Sequence, residues 1–189
     1  YLFRYDSLNR RIFLSDPDIG NWTYTYDAPG NLLQQVDARG YFVNFTYDTL
    51  NRPVQKRSNS SIVNFTYDGQ YYGTLTNVTV DGIVSRYTHD KRYRVTKKET
   101  DVRGTTYTTG NAYDSMDHLI VERYMNGTGI GYTFNAQALL ESIPGFVNAT
   151  DYNAFGNPLN RNFSNGKVME FTYNATNGRL LRLQTDTTQ

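Results

Sequence analysis

Asn44-Phe45-Thr46-Tyr47-Asp48 reads NFTYD, and Asn64-Phe65-Thr66-Tyr67-Asp68 repeats it letter for letter twenty residues later. Successive side chains of an extended chain point to opposite sides, so each copy sets its two rings on one face and its Asn and Thr on the other. The Asp that follows can accept hydrogen bonds from backbone N–H groups just ahead of it and open a turn. The pentapeptide is thus the end of a strand and the beginning of a hairpin.

A looser form of the phrase covers the chain. Aligned on the acid or amide after the aromatic residue, it recurs at Asp6, Asp27, Asp48, Asp68, Asp90 and Asp114, then at Asn135, Asn153 and Asn174. Spacings of 21, 21, 20, 22, 24, 21, 18 and 21 residues mark a tandem repeat. Three residues into the turn stand Asn9, Gly30, Asn51, Asp117, Gly156 and Asn177, residue types that tolerate positive φ. An apolar residue then resumes the strand, from Ile12 and Leu32 to Leu159 and Leu180. The expected fold is all-β: β-hairpins of about 21 residues laid side by side in a continuous antiparallel spiral sheet, shell- or filament-like. Residues 1–189 read as a single array of about nine repeats, clear over 1–68 and degenerate over 87–189.

Composition agrees and narrows the function. Seventeen Tyr and ten Phe stand against one Trp, and large rings favour pleated surfaces. A net charge of +1 gives no general electrostatic pull on nucleic acid, so no nucleic-acid partner is expected. No run approaches the eighteen or so apolar residues of a membrane helix, and no membrane insertion is expected. With no Cys, disulfides and thiolate metal sites are excluded. The chain begins at Tyr1 instead of Met, which implies a processed or excerpted polypeptide.

Three stretches resemble a known family: Tyr5-Asp6-Ser-Leu-Asn9-Arg10-Arg11, Tyr24-Thr-Tyr26-Asp27-Ala-Pro-Gly30-Asn31-Leu32, and Asp151-Tyr152-Asn153-Ala154-Phe155-Gly156-Asn157-Pro158-Leu159. They are similar to YD repeats, the tandem units of Rhs proteins, teneurins and insecticidal toxin-complex shells. The likeness spans essentially the whole chain and weakens after Asp90, where His89 replaces the usual Tyr and Tyr93 takes the turn position. It implies a strip of hairpins spiralling into a hollow shell, hence an enclosing or structural role. The family's DPxGL-like self-cleavage motif is not carried over, because Asp16-Pro17-Asp18-Ile19-Gly20 departs from it and lies at the wrong end.

A second signal is independent of the first. Asn-X-Ser/Thr occurs at Asn21, Asn44, Asn59, Asn64, Asn77, Asn126, Asn148, Asn162 and Asn174, nine of 19 Asn, where 32 Ser and Thr would give roughly three by chance. Repeat grammar explains Asn44 and Asn64 but leaves Asn59, Asn126 and Asn148 unexplained. N-linked glycans on the face opposite the rings are expected, with an extracellular or cell-surface address.

Chemistry-bearing residues are sparse. His89 and His118 each sit at a repeat position, which argues against a Ser-His-Asp arrangement. Asp16-Pro17-Asp18 reads as a solvated turn, because one carboxylate pair does not fill a Ca²⁺ shell. The charges of Lys91, Arg92, Arg94, Lys97 and Lys98 would divide between two strand faces. No enzyme activity, metal or cofactor is expected. A second copy joined after Thr187-Thr188-Gln189 would place its Asp6 21 residues beyond Asn174, so the period survives a head-to-tail junction. The first expectation is therefore a glycosylated extracellular filament or sheath built by self-association of identical subunits or neighbouring repeats. The alternatives are part of a cargo-enclosing shell and a carbohydrate-binding module. The single Trp22 weakens the last, because such modules use Trp cages.

Overall fold

The structure, a computed structural model, describes residues 1–185; the junction phrase Thr187–Gln189 lies outside them. Among the described residues every regular element is a strand, as the ring-rich alternating pattern requires. The first ten are β1 (Leu2–Tyr5), β2 (Arg11–Asp16), β3 (Gly20–Tyr26), β4 (Leu32–Val36), β5 (Phe42–Tyr47), β6 (Pro53–Ser58), β7 (Ile62–Tyr67), β8 (Leu75–Val80), β9 (Ile83–His89) and β10 (Val95–Val102). They are followed by β11 (Thr105–Tyr113), β12 (Leu119–Arg123), β13 (Gly129–Gly131), β14 (Thr133–Phe134), β15 (Leu140–Ser142), β16 (Val147–Tyr152), β17 (Pro158–Phe163), β18 (Val168–Tyr173) and β19 (Leu180–Thr185).

Hydrogen-bonded neighbours follow chain order: β1 to β13 form one 13-stranded sheet, β14 and β15 a pair, and β16 to β19 a four-stranded sheet. The chain divides into two compact units, Tyr1–Thr108 and Thr109–Gln189. Within the first unit the expected continuous antiparallel ladder holds throughout. Within the second it is interrupted around Tyr132 and again after Ser142. Gly127, Gly129 and Gly131 crowd the first break, and Pro144-Gly145 follow the second. Glycine weakens a strand and proline cannot donate to a ladder, so pairing lapses there.

The faces divide as the alternation dictates. In β3, Trp22, Tyr24 and Tyr26 are half-buried while Asn21, Thr23 and Thr25 are exposed; in β7, Val63, Phe65 and Tyr67 alternate with exposed Ile62, Asn64 and Thr66. Rings two residues apart stack along one face, with centroids 6.5 Å apart for Trp22 and Tyr24 and 6.4 Å for Phe45 and Tyr47. On the opposite face Gln34 donates across the register to Asn44, and Gln55 to Asn64, both at 2.9 Å. Among the described residues only Leu14 and Val147 are buried hydrophobics, and no side chain is fully enclosed. Stability is therefore spread along the ladder: each half-buried ring removes about 100 Å² from water, roughly 2 kcal/mol.

Candidate functional site

Every repeat turns on its Asp or Asn, and the turn is the unit from which the site is built. The Asp6 N–H donates to the Arg10 carbonyl at 2.9 Å, and Asn9 returns a bond to the Asp6 carbonyl at 3.1 Å. Asp6 Oδ1 meanwhile accepts the N–H groups of Leu8 and Arg10. The same two side-chain bonds recur at Asp48 with Leu50 and Arg52, at Asp90 with Arg92 and Arg94, and at Asp114 with Met116 and His118. Asn135 and Asn153 make them with Gln137 and Leu139, and with Phe155 and Asn157. Asp27 instead accepts from Gly30 and Asn31, because Pro29 has no N–H to offer.

The backbone pays for the tight turn with one residue at positive φ. Asn9 (61°), Gly30 (105°), Asn51 (60°), Asp117 (71°) and Gly156 (79°) hold that place, as their chemistry predicts. Tyr93 (65°) and Ala138 (62°) also hold it, against the preference of a side chain with an ordinary Cβ. The register slips by one residue immediately before Tyr5, Tyr26, Tyr47, Tyr67, Tyr113, Phe134, Tyr152 and Tyr173. Such a bulge goes with a three-residue hairpin loop that ends in a left-handed residue.

Two turns depart from the expectation. The Asp68 loop runs on to Thr74, and Asp68 Oδ1 reaches the N–H of Gly73 at 2.6 Å. At Asn174 the positive φ falls on Gly178 and not on Asn177, because the loop is one residue longer and closes on Arg179. A further turn went unread in the sequence. Half a period after Asp27, Asp37 repeats the Asp6 arrangement, with Gly40 at positive φ and Oδ1 accepting the N–H groups of Arg39 and Tyr41. Its Asp-X-X-Gly spacing was the available signal, hidden because Val36 precedes it where an aromatic was sought.

The repeats are latched to one another by two groups. The repeat tyrosine sends its hydroxyl back to the strand that opens the preceding repeat: Tyr26 to the Arg11 carbonyl, Tyr47 to Leu32 and Tyr67 to Pro53, each at 2.9 Å, and Tyr152 to Leu140 at 2.6 Å. The residue that ends the turn reaches forward. Arg10 Nε holds Asp6 at 2.7 Å while Nη1 donates to the Asp27 carbonyl at 2.8 Å, and its guanidinium lies 5.0 Å from the Tyr26 ring centroid. Arg52 holds Asp48 with Nε and grips both carboxylate oxygens of Asp68 at 2.8 and 2.6 Å, 4.5 Å from the Tyr67 ring centroid. Asn31 does the same in neutral form, donating to Asp27 and to Asn51.

Electrostatics follow from this geometry. The Arg52 guanidinium, then the Gly73 N–H, pull the Asp68 carboxyl down to about 2. Asp6 and Asp48 are held below the usual carboxylate range first by the backbone N–H of Arg10 and Arg52, and Asp90 first by the Arg94 side chain. The histidines fit the same scheme. His118 ends its turn where Arg10 and Arg52 end theirs, with Nδ1 2.7 Å from Asp114 and its ring stacked 4.3 Å from Phe134. His89 occupies the aromatic slot at the end of β9.

The remaining candidates resolve into structure. Asp16 Oδ1 accepts the N–H groups of Asp18 and Ile19, the bonding of a solvated turn. Among the described residues no three His, Asp or Glu converge on a point that could hold a metal ion. The basic run does not form one patch: Arg94 bonds Asp90, Lys97 lies 3.1 Å from Glu99, and Lys98 covers the Tyr87 ring. Trp22 lies half-buried on the ring-bearing face, its ring stacked beside that of Tyr24. A half-open cleft of about 690 Å³ in the second unit is lined by Phe155, Leu159, Phe171, Tyr173 and the Asn174 turn.

Residues 26–61, from the latching Tyr26 through the turns at Asp37 and Asp48, match the family model described as RHS Repeat. This stretch is an RHS repeat. No curated protein matches the chain. A crystal structure of TcdB2-TccC3 matches 99% of the chain with a TM-score of 0.86 at 16% identity. A crystal structure of TcdB2-TccC3-Cdc42 matches 97% with a TM-score of 0.85 at 17% identity. TcdB2-TccC3 without its hypervariable C-terminal region matches 99% at 0.86 and 16%. The fold is the Rhs and toxin-complex β-sheet architecture, and the chain spans 11% of each of those longer chains.

Proposed function

We propose that this chain is a stretch of wall in a hollow RHS-repeat shell, a structural scaffold at the cell surface or outside the cell that encloses cargo and catalyses nothing itself. The observation that carries this reading is the match of nearly the whole chain to a fraction of the much longer TcdB2-TccC3 chains. The latches support it. Bonds at Arg10, Asn31 and Arg52 and from the hydroxyls of Tyr26, Tyr47, Tyr67 and Tyr152 tie neighbouring repeats within each unit together, as a wall built of stacked repeats needs. The likeness favours a shell wall over the glycosylated filament that the sequence suggested first, because a filament of identical short subunits has no counterpart in it.

Electron microscopy of the native full-length protein tests the reading. Closed hollow particles of uniform size are expected. Open fibres that lengthen with protein concentration would overturn it, because fibres require a contact between identical units that never closes.

A further inference from the structure

Nine sequons remain that a shell wall does not require. The structure separates them. Asn21, Asn59, Asn64, Asn126 and Asn148 are exposed, whereas Asn44, Asn77, Asn162 and Asn174 are half-buried. The three that repeat grammar leaves unexplained, Asn59, Asn126 and Asn148, all fall in the exposed group. Asn59 lies in the turn between β6 and β7, and Asn126 in the turn between β12 and β13. Asn148 is the residue skipped in the pairing of Val147 and Ala149 with β17, so a bulge turns it out of the ladder. Asn21 and Asn64 project from the Thr-bearing face, opposite the rings of Trp22, Tyr24, Phe65 and Tyr67.

The amides also present the right atom. Asn59 Oδ1 accepts the N–H of Phe42 at 2.7 Å, and Asn126 Oδ1 accepts the N–H of Thr128 at 3.0 Å and its hydroxyl at 2.7 Å. A backbone N–H can only donate, so these bonds settle which amide atom is the oxygen and leave Nδ2 facing away from the contact. Asn64 has the same polarity toward Gln55. A substituent on Nδ2 therefore leaves every one of these hydrogen bonds in place. Asn174 shares this polarity, its oxygen accepting the N–H groups of Thr176 and Asn177, but it differs in place: the residue is half-buried and lines the cleft with Phe155 and Tyr173. A sugar there would have to enter the joint between hairpins.

We infer that the five exposed sequons carry N-linked oligosaccharide and that Asn174 does not. The donor is an oligosaccharide on a polyprenyl pyrophosphate, supplied with its transferase by the cell. The bond from the anomeric carbon to pyrophosphate breaks, the bond from that carbon to Nδ2 forms, the amide gives up one proton, and the polyprenyl pyrophosphate leaves. This inference does not rest on the shell reading, because a filament or a sheath could carry the same glycans.

The test is glycopeptide mass mapping of protein purified from its native source. Modification at three or more of Asn21, Asn59, Asn64, Asn126 and Asn148, with Asn174 bare, is the expected result. Fewer than three modified, or a sugar on Asn174, overturns the inference. Thr66→Ala expressed in the same source serves as a check on the assignment, since it destroys the Asn64 sequon without touching the Asn64 to Gln55 bond. It should lower the mass by one glycan besides the Thr to Ala difference, and a fall by the side-chain difference alone overturns the placement at Asn64.

Discussion

Replacing Tyr47 by Phe removes one oxygen and leaves the ring. The ring stays half-buried, stacked on Phe45 and paired across the register with Pro53. Only the 2.9 Å bond from the hydroxyl to the Leu32 carbonyl of the preceding repeat is lost. A hydrogen bond of this kind contributes about 1 kcal/mol net, with a range of about 0.5 to 1.5. At a urea slope of about 2 kcal/mol/M the midpoint should fall by roughly 0.5 M. The melting temperature should drop by about 4–8 °C if the first unit melts alone, and by about 2–4 °C if the whole chain melts as one. Urea and thermal unfolding followed by circular dichroism measure both. Tyr41→Phe is the control, because Tyr41 is 55% exposed and its hydroxyl takes part in no latch. Burial, then the nearby Asp27 carboxylate, also raise the Tyr47 hydroxyl above its ordinary value. The folded state thus holds a proton that the unfolded state releases first. Its contribution is intact below the unfolded tyrosine pKa of about 10 and is lost as pH climbs through the folded value, a loss that Tyr47→Phe abolishes. If Tyr47→Phe unfolds at the same urea concentration as Tyr41→Phe, the hydroxyl latch is not a stabilising contact and the account of repeat coupling is wrong.

Two further outcomes are expected. Because Asp68 titrates at about 2 when gripped by Arg52, its contribution is present above the unfolded carboxylate pKa of about 3.9 and disappears as pH falls toward 2. Urea midpoints measured between pH 5 and pH 2 should therefore fall more steeply for the native sequence than for Arg52→Met; equal slopes would show that the Arg52 to Asp68 grip does not persist in solution. Ala138 sits at φ 62° in its turn, so Ala138→Gly should raise stability, by up to about 1 kcal/mol, as the left-handed Cβ penalty is relieved. A lower melting temperature in the Gly variant would mean that contacts of the Ala138 methyl outweigh that strain.

The local grammar of this protein was legible in its residues because it is local physics. Alternation at period two placed Trp22, Tyr24 and Tyr26 on one face and Asn21, Thr23 and Thr25 on the other, and an Asp followed three residues later by Asn or Gly specified the turn and its positive φ. A repeat of near-constant length stacked in chain order left few other topologies to consider. The turn at Asp37, the long loop at Asp68 and the shifted positive φ at Gly178 escaped that reading because each breaks the phrase by one or a few residues while keeping its hydrogen bonds. What only the tertiary structure decided is how one repeat holds the next. Arg10 and Arg52 each serve two carboxyl-bearing turns at once, and Tyr26, Tyr47 and Tyr67 reach carbonyls 14 or 15 residues back, separations that no strand period or turn motif encodes. The same holds for the sequons. Their spelling is a property of three consecutive letters, but whether an amide nitrogen faces solvent or a joint between hairpins depends on bulges, loop lengths and cross-strand partners that exist only once the ladder has formed.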